Sequence, residues 1–166
     1  MNTKYILVIL LFITSFTNAQ DYNSYITKAK QEIESGNLRK AYGSVTKAIE
    51  IDSTSIDARE TRIKASLTTS APKEHLETAI IDLNYLISHD VDQAINYSML
   101  GVAESELAYY IYRYDRTKSN HYDIAVLHYE NALKAFDKAI SIIPEFAEGL
   151  ADRIKNVKEK IADIKS

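Results

Sequence analysis

The sequence predicts an all-α fold, and two observations lead to this prediction. Only four Gly and two Pro interrupt the chain of 166 residues. Apolar residues recur three or four positions apart, the period of an amphipathic helix, and no window alternates apolar and polar residues as a half-buried strand does. We therefore expect helices throughout, joined by short polar turns.

The N-terminus has the pattern of a secretory signal peptide. The basic residue Lys4 precedes an apolar run from Tyr5 to Phe16, and the small residue Ala19 follows. The run has about 12 residues where a membrane span needs about 20, and no stop-transfer pattern follows it, so a signal peptide is favoured over an anchor. We expect residues 20–166 to be exported to the periplasm or the medium, with no membrane span after cleavage.

Composition excludes several classes of function. The formal net charge is −3, and loss of Lys4 with a signal peptide would make it more negative. Basic and acidic residues are interspersed rather than clustered, so we expect no nucleic acid partner. The chain has no Cys, which excludes disulfides, a thiol nucleophile and a Cys-based zinc site.

The first helical hairpin is predicted over about residues 22–52. Its first helix extends from about Asn23 to Ser35, and Gly36 supplies a left-handed residue that ends this helix. The second helix is predicted from about Leu38 to Ile51. The polar residues that follow it are expected to cap the next helix; they are Asp52, Ser53, Thr54 and Ser55.

Two further hairpins follow, over about residues 56–89 and 92–143. Pro72 fits the start of a helix, where its missing N–H group is not needed. A polar turn is expected at about residues 116–120, and Asp92 is a plausible helix cap. The four helices are predicted from about Ile56 to Thr68, Pro72 to Ser88, Asp92 to Asp115 and His121 to Ile143.

A last helix is predicted over about residues 145–164, after Pro144. It has one narrow apolar stripe with charged residues elsewhere, so one side should remain in contact with solvent. The stripe consists of Leu150, Ile154, Val157, Ile161 and Ile164. We expect it to cover the end of the helical array.

The spacing of small and large apolar residues resembles that of the tetratricopeptide repeat family over residues 20–166. The first helix of the third hairpin contains the segment Tyr97-x2-Leu100-Gly101, and its second helix contains Ala132-x3-Phe136-x2-Ala139, followed after four residues by Pro144. In the first hairpin, Ala29 precedes Ala41 by the number of positions that is usual in this family. The third hairpin is longer than a standard repeat. The resemblance implies a right-handed superhelical array of about three antiparallel helix hairpins with a C-terminal capping helix.

The resemblance also implies a binding surface for a protein or peptide partner. In this family the ligand surface is the concave wall made by the first helix of each pair. Carried over to this sequence, it would consist of Ile26, Lys30, Glu60, Lys64, Ser98 and Val102.

Tyrosines are concentrated on the third hairpin. Helical spacing places Tyr110 and Tyr114 on the same side as Leu107 and Ile111, where we expect core positions, while Tyr109 and Tyr112 point away from the centre of that side. The latter two rings either lie on the neighbouring hairpin or form a binding surface for a partner.

No pattern of catalytic or metal-binding residues is present. Neither a phosphate loop nor a nucleophile elbow nor an H-E-x-x-H motif occurs. The four histidines, His75, His89, His121 and His128, form no close helical pair. We therefore expect no enzymatic activity, metal or cofactor. The function predicted is an interaction scaffold of the cell envelope or the secreted fraction; the alternative is a carrier for a small apolar ligand, with a pocket under the third hairpin.

The signal peptide prediction can be checked by mass spectrometry. When the full chain is expressed in a host with a secretory pathway, we expect the exported protein to begin at Gln20, because Ala19 is the small residue that signal peptidase prefers. Intact-mass measurement of the exported material tests this. Recovery of exported protein that still carries residues 1–19 would contradict the prediction.

Overall fold

The structure is a computed structural model that describes residues 3–68, 71–115 and 119–166, with only the backbone described for residues 3–18. All regular secondary structure in these residues is α-helical, so the all-α prediction is confirmed. In the same part of the chain, no helix is both long and apolar enough to cross a membrane. The helices are α1 (Thr3–Glu34), α2 (Leu38–Ile51), α3 (Ile56–Ser66), α4 (Lys73–Ser88), α5 (Gln93–Arg113), α6 (His121–Ile142) and α7 (Phe146–Lys165).

Helix α1 differs most from its predicted bounds. It begins at Thr3 rather than near Asn23, because no Gly or Pro interrupts the chain between these residues. The predicted cleavage point after Ala19 therefore lies inside α1, and the cleavage stays a prediction. The other helices begin and end within one or two residues of the predicted positions. Of the turn predicted at residues 116–120, residues 116–118 lie outside the described residues.

The described helices divide into two compact units. The first unit ends at Ala65 and the second begins at Ser66. Consequently α1, α2 and nearly all of α3 belong to the first unit, and α4 to α7 belong to the second. The second predicted hairpin has one helix in each unit, so its pairing and the superhelical array stay predictions.

In the first unit, α1 and α2 pack as a hairpin whose turn is set by one glycine. Gly36 has a φ of 75°, in the left-handed region that glycine adopts without a steric penalty. The N–H group of Gly36 donates to the carbonyl of Ile33 at 2.9 Å, and that of Asn37 donates to the carbonyl of Glu32 at 2.7 Å. These two bonds form a Schellman motif, which satisfies the last carbonyl groups of α1.

The core of the first unit consists mainly of small and β-branched side chains. Ala29, Val45, Ala48 and Ala58 are fully buried, and alanine allows helix backbones to approach closely. The predicted cap of α3 is present: the Ser55 hydroxyl accepts a hydrogen bond from the N–H group of Ala58 at 3.1 Å. This bond satisfies one of the free N–H groups at the start of α3.

In the second unit, consecutive helices pack against each other, α4 with α5, α5 with α6 and α6 with α7. Among the described residues, two clusters of buried side chains contribute to this packing. One joins α4, α5 and α6 through Leu76, Leu107, Ile111 and Ala125. The other joins α5, α6 and α7 through Ala108, Tyr129, Ala132, Phe136, Ala139, Leu150 and Val157.

The closest approach of α5 and α6 is at Gly101. A Cβ atom added to this glycine would lie within 3.0 Å of three carbon atoms of the Phe136 ring. The ring therefore occupies the space that any larger residue would need. A residue without a side chain opposite a large aromatic ring allows the two helices to approach this closely.

Helix α7 covers α6 with its predicted apolar stripe. Leu150 and Val157 are buried, and Ile154, Ile161 and Ile164 are partly buried against the same cluster. Most of the remaining residues of α7 are exposed. This one-sided burial agrees with the narrow apolar stripe of the sequence, and the role of α7 as the cap of a repeat array stays a prediction.

Replacement of Gly101 by Ala should lower the free energy of unfolding by about 1 to 3 kcal/mol, because the added methyl group displaces the Phe136 ring in a packed core. The matched control is Gly149→Ala in α7, where the added Cβ would meet nothing within 4 Å. That change should raise the free energy of unfolding by roughly 0.5 to 1 kcal/mol through helix propensity. Urea unfolding followed by circular dichroism measures both. A stabilised Gly101→Ala variant would contradict the close contact.

Candidate functional site

Two neighbouring clefts of the second unit share Glu106 and Tyr109 of α5. Both are partly open to solvent. The first, which we call the aromatic cleft, has a volume of about 410 Å³ and is lined by Thr68, Ala71, Leu76, Glu106, Tyr109, Tyr110 and Tyr114. The second, which we call the polar groove, has a volume of about 510 Å³ and is lined by Ser105, Glu106, Tyr109, Tyr129, Asp152, Arg153, Asn156, Val157 and Lys160.

Three tyrosine rings near the end of α5 form the wall of the aromatic cleft. The rings of Tyr109 and Tyr114 are nearly perpendicular, at 85°, with 6.4 Å between their centroids. The ring of Tyr110 lies 5.6 Å from that of Tyr114 and is tilted by 56°. Leu76 of α4 supplies a buried apolar surface. Rings at such different orientations present both faces and edges to the cleft.

The polar groove lies between α5 and α7, with α6 at its base. Helix α7 contributes the exposed polar residues Asp152, Arg153 and Asn156, together with the partly buried Lys160. At the base are Tyr129 of α6 and Val157 of α7, both almost fully buried. The groove therefore has an apolar base and a rim with hydrogen-bond donors and acceptors of both charges.

Glu106 is the carboxylate shared by the two clefts. Partial burial raises its pKa, because desolvation disfavours the charged form, and the positive charge of Arg153 acts in the opposite direction. The positive charge of Arg153 acts on the Glu106 carboxylate, but among the described residues no basic side chain forms a direct ion pair with it. A half-buried carboxylate of this kind gains by interaction with an added cation.

Tyr129 is affected by the same environment. Burial raises the pKa of its hydroxyl to about 12, and the charge of Glu106 and the neighbouring Tyr109 and Tyr112 act in the same direction. A negative charge on the Tyr129 oxygen would be both poorly solvated and close to a carboxylate. The neutral phenol is therefore the stable form at the base of the polar groove.

A second buried carboxylate has a different role. Glu104 is only 8% exposed, and its Oε2 atom lies 2.5 Å from Nδ1 of His128. This contact joins α5 to α6 beside the core. Each of these two side chains provides the other with a hydrogen-bond partner.

The predicted binding residues of the first unit differ in accessibility. Ile26 is 6% exposed and belongs to the core, so its side chain does not form part of the surface. Lys30 is exposed and pairs with Asp57, with 2.8 Å between Nζ and Oδ1. Glu60 is partly buried, and Lys64 is exposed.

The predicted binding residues of the second unit also separate into two groups. Ser98 and Val102 are partly buried, and Val102 packs against the core of α5, α6 and α7. Tyr112 is partly buried against the core, and its ring lies 5.8 Å from that of Tyr122. Tyr109 is 40% exposed and lines both clefts. Of these four residues, Tyr109 is the one placed in the clefts.

The sequence-based expectation for Tyr114 is wrong. Its spacing from Leu107 and Ile111 predicts a core position, and those two residues are indeed buried. Tyr114 is 65% exposed, because it is the C-cap residue of α5 and the neighbouring helices do not cover it. Tyr110, also expected in the core, is partly buried at the wall of the aromatic cleft.

Several residues of the polar groove were not selected from the sequence. Arg153, Asn156 and Lys160 lie three, then four positions apart on α7 and so share one side of that helix. This spacing is a weak signal, because other charged residues occur at every turn of the same helix. Glu106 carries no local signal, because its partial burial and the charge of Arg153 beside it both depend on helix packing.

In the described residues, no group of three or more His, Cys, Asp or Glu side chains is arranged to hold a metal ion. Comparisons with protein-family models, with curated proteins and with solved structures find no match for this chain. The likeness to tetratricopeptide repeats therefore rests on the residues and spacings given above.

Stability at high pH should depend on Tyr129. Its pKa is about 12 in the folded chain and about 10 in an unfolded one. Because the folded value is the higher one, this contribution is complete below about pH 10 and is lost as the pH rises through 12. The loss should be on the order of 2 kcal/mol.

The matched variant is Tyr129→Phe, which keeps the ring and removes the ionisable group. Urea unfolding at pH 8 and at several values between pH 10 and 12 should show a smaller loss of stability for this variant than for the parent. Equal losses in the two proteins would contradict the raised pKa.

Proposed function

We propose that this chain is a non-catalytic interaction scaffold, exported and built from divergent tetratricopeptide-like hairpins, that binds a protein or peptide partner. The observation that carries the proposal is the polar groove. It is open to solvent, has a buried apolar base and is bordered by polar side chains on two helices. A peptide segment needs this combination of apolar contact and hydrogen bonding.

The residues of the groove fit the chemistry of a peptide. Arg153 and Lys160 can donate hydrogen bonds to backbone carbonyl groups, while Asp152 can accept them from N–H groups. The amide of Asn156 can do both. Tyr109 at the rim offers a rigid aromatic surface that loses little conformational entropy on binding. Because the rim carries both charges, the groove favours a segment of mixed polarity over a strongly acidic or basic tail.

A second candidate function, a carrier for a small ligand, is favoured by the aromatic cleft. Its volume of about 410 Å³ lies within the usual range for small-molecule sites, roughly 300 to 1,000 Å³. The cleft lies beneath the tyrosines of the third hairpin, where a carrier would hold its ligand. The two clefts share Glu106 and Tyr109, but Arg153 and Lys160 line the polar groove alone and Tyr110 and Tyr114 line the aromatic cleft alone, so variants of these residues can separate the two candidates.

Affinity capture from an envelope extract tests the scaffold proposal. The double variant Arg153→Ala/Lys160→Ala should lose a partner that the parent retains, because both side chains border the groove. The matched control is Lys155→Ala/Lys158→Ala, which removes the same charge from two exposed residues of α7 outside the groove. Captured proteins are identified by mass spectrometry, and each candidate is then purified and titrated.

In the titration, the groove variant should bind about tenfold or more weakly than the parent, and the control should bind like the parent. Thermal unfolding confirms that both variants are folded. The proposal is wrong if the groove variant and the control retain the same proteins with equal affinity. Loss of binding in both variants would indicate a general charge effect and would also contradict the groove.

A further inference from the structure

We propose that the aromatic cleft binds a quaternary ammonium group, such as the trimethylammonium group of choline. The cleft combines three tyrosine rings and an apolar surface with the carboxylate of Glu106. This inference goes beyond the scaffold function and does not depend on it, because Tyr110, Tyr114 and Leu76 line the aromatic cleft and do not line the polar groove.

The arrangement of the rings suits a cation. The faces of aromatic rings carry partial negative charge and attract a cation within about 6 Å of the ring centroid. Tyr109 and Tyr114 stand at 85° to each other, and Tyr110 is tilted by 56° from Tyr114. The cleft therefore has ring surfaces of more than one orientation against which a bound group can pack. The centroid separations of 5.6 and 6.4 Å keep the rings within reach of a single small ligand.

Glu106 supplies the opposite charge. Its carboxylate is partly buried at the edge of the cleft, and the desolvation that raises its pKa also strengthens its attraction for a cation. Arg153 acts on Glu106 from the polar groove and does not line the aromatic cleft. Among the described residues, the lining of the aromatic cleft therefore contains a carboxylate and no Lys or Arg side chain.

The surroundings favour a quaternary over a primary ammonium group. A primary ammonium has three N–H donors that need acceptors when they leave water, and among the described lining residues the side-chain acceptors are the Glu106 carboxylate and the hydroxyl groups of Thr68 and the tyrosines. A quaternary ammonium has no N–H donor, and its methyl groups can contact the rings, Leu76 and Ala71. The cleft thus matches a cation that is apolar on its surface.

Three ligands of similar size test the chemistry when each is titrated into the full chain by calorimetry. Choline carries the quaternary charge, 3,3-dimethylbutan-1-ol is its neutral counterpart, and ethanolamine carries a primary ammonium. Choline should bind about tenfold or more tightly than either of the others. Absence of choline binding, or equal binding of the neutral alcohol, would overturn the proposal.

Two variants and two matched controls test the site. Glu106→Gln and Tyr114→Leu should each weaken choline binding about tenfold. Glu148→Gln removes one charge from an exposed residue of α7, and Tyr122→Leu removes a ring that is 46% exposed and lies outside the cleft. Both controls should bind choline like the parent. Equal effects of site variants and controls would overturn the assignment to this cleft.

A direct measurement does not depend on the variants. Magnetisation transfer between the choline methyl protons and tyrosine ring protons should be observed by NMR for the parent, and its absence in a sample that binds choline would overturn the site.

Vesicles distinguish the two possible sources of the quaternary ammonium group, a lipid headgroup and a free small molecule. If phosphatidylcholine vesicles, but not phosphatidylethanolamine vesicles, sediment the protein and free choline releases it, the ligand is a lipid headgroup. If choline binds and neither vesicle does, the ligand is a free molecule; both results support the proposal.

Discussion

The close contact between Gly101 and Phe136 is the constraint on which the second unit depends. The Phe136 ring fills the space where a side chain on α5 would otherwise be, and this sets the distance between the two longest hairpin helices of that unit. The same ring belongs to the cluster against which α7 packs. The position of α7, and with it one wall of the polar groove, therefore follows from a contact between α5 and α6.

Helix α5 is central to the candidate sites because three helices contact or face it from different sides. It packs against α4 and α6, and its residues Ser105, Glu106 and Tyr109 face α7 across the polar groove. The neighbouring helices cover only part of the surface of α5. The two clefts lie where its surface stays accessible, the aromatic cleft on the side of α4 and the polar groove on the side of α7. Glu106 is half-buried because it lies between them. Its raised pKa is a consequence of helix packing, and the same burial makes its charge effective toward a ligand.

Features that depend on short stretches of chain were predictable. Gly36 ends α1 in the left-handed conformation, and Ser55 caps α3 through its hydroxyl, since both effects involve residues only a few positions apart. Asp92 shows the limit of such signals: it precedes α5 as expected, but its side chain makes no capping hydrogen bond. Its φ of 31° gives the start of α5 a different geometry. The predicted start of the first helix near Asn23 applies to a chain without residues 1–19, whereas in the full chain no Gly or Pro separates this helix from the residues before it.

The sequence by itself determined the seven helices of the described chain, the one-sided stripe of α7 and the small residue that α5 needs beside Phe136. The helices and the stripe follow from the helical period of the apolar residues, which is a local property of the chain. The need for a small residue follows from the size of the side chain that it contacts directly. The tertiary structure decided which tyrosines are exposed, that Ile26 is buried, and that Glu106 and Arg153 act on each other. Helical spacing predicts which residues lie on the same side of a helix. The solvent exposure of that side depends on which other elements pack against it. Among the described helices none covers Tyr114, because α5 ends there, and a residue of the predicted core becomes a wall of the aromatic cleft.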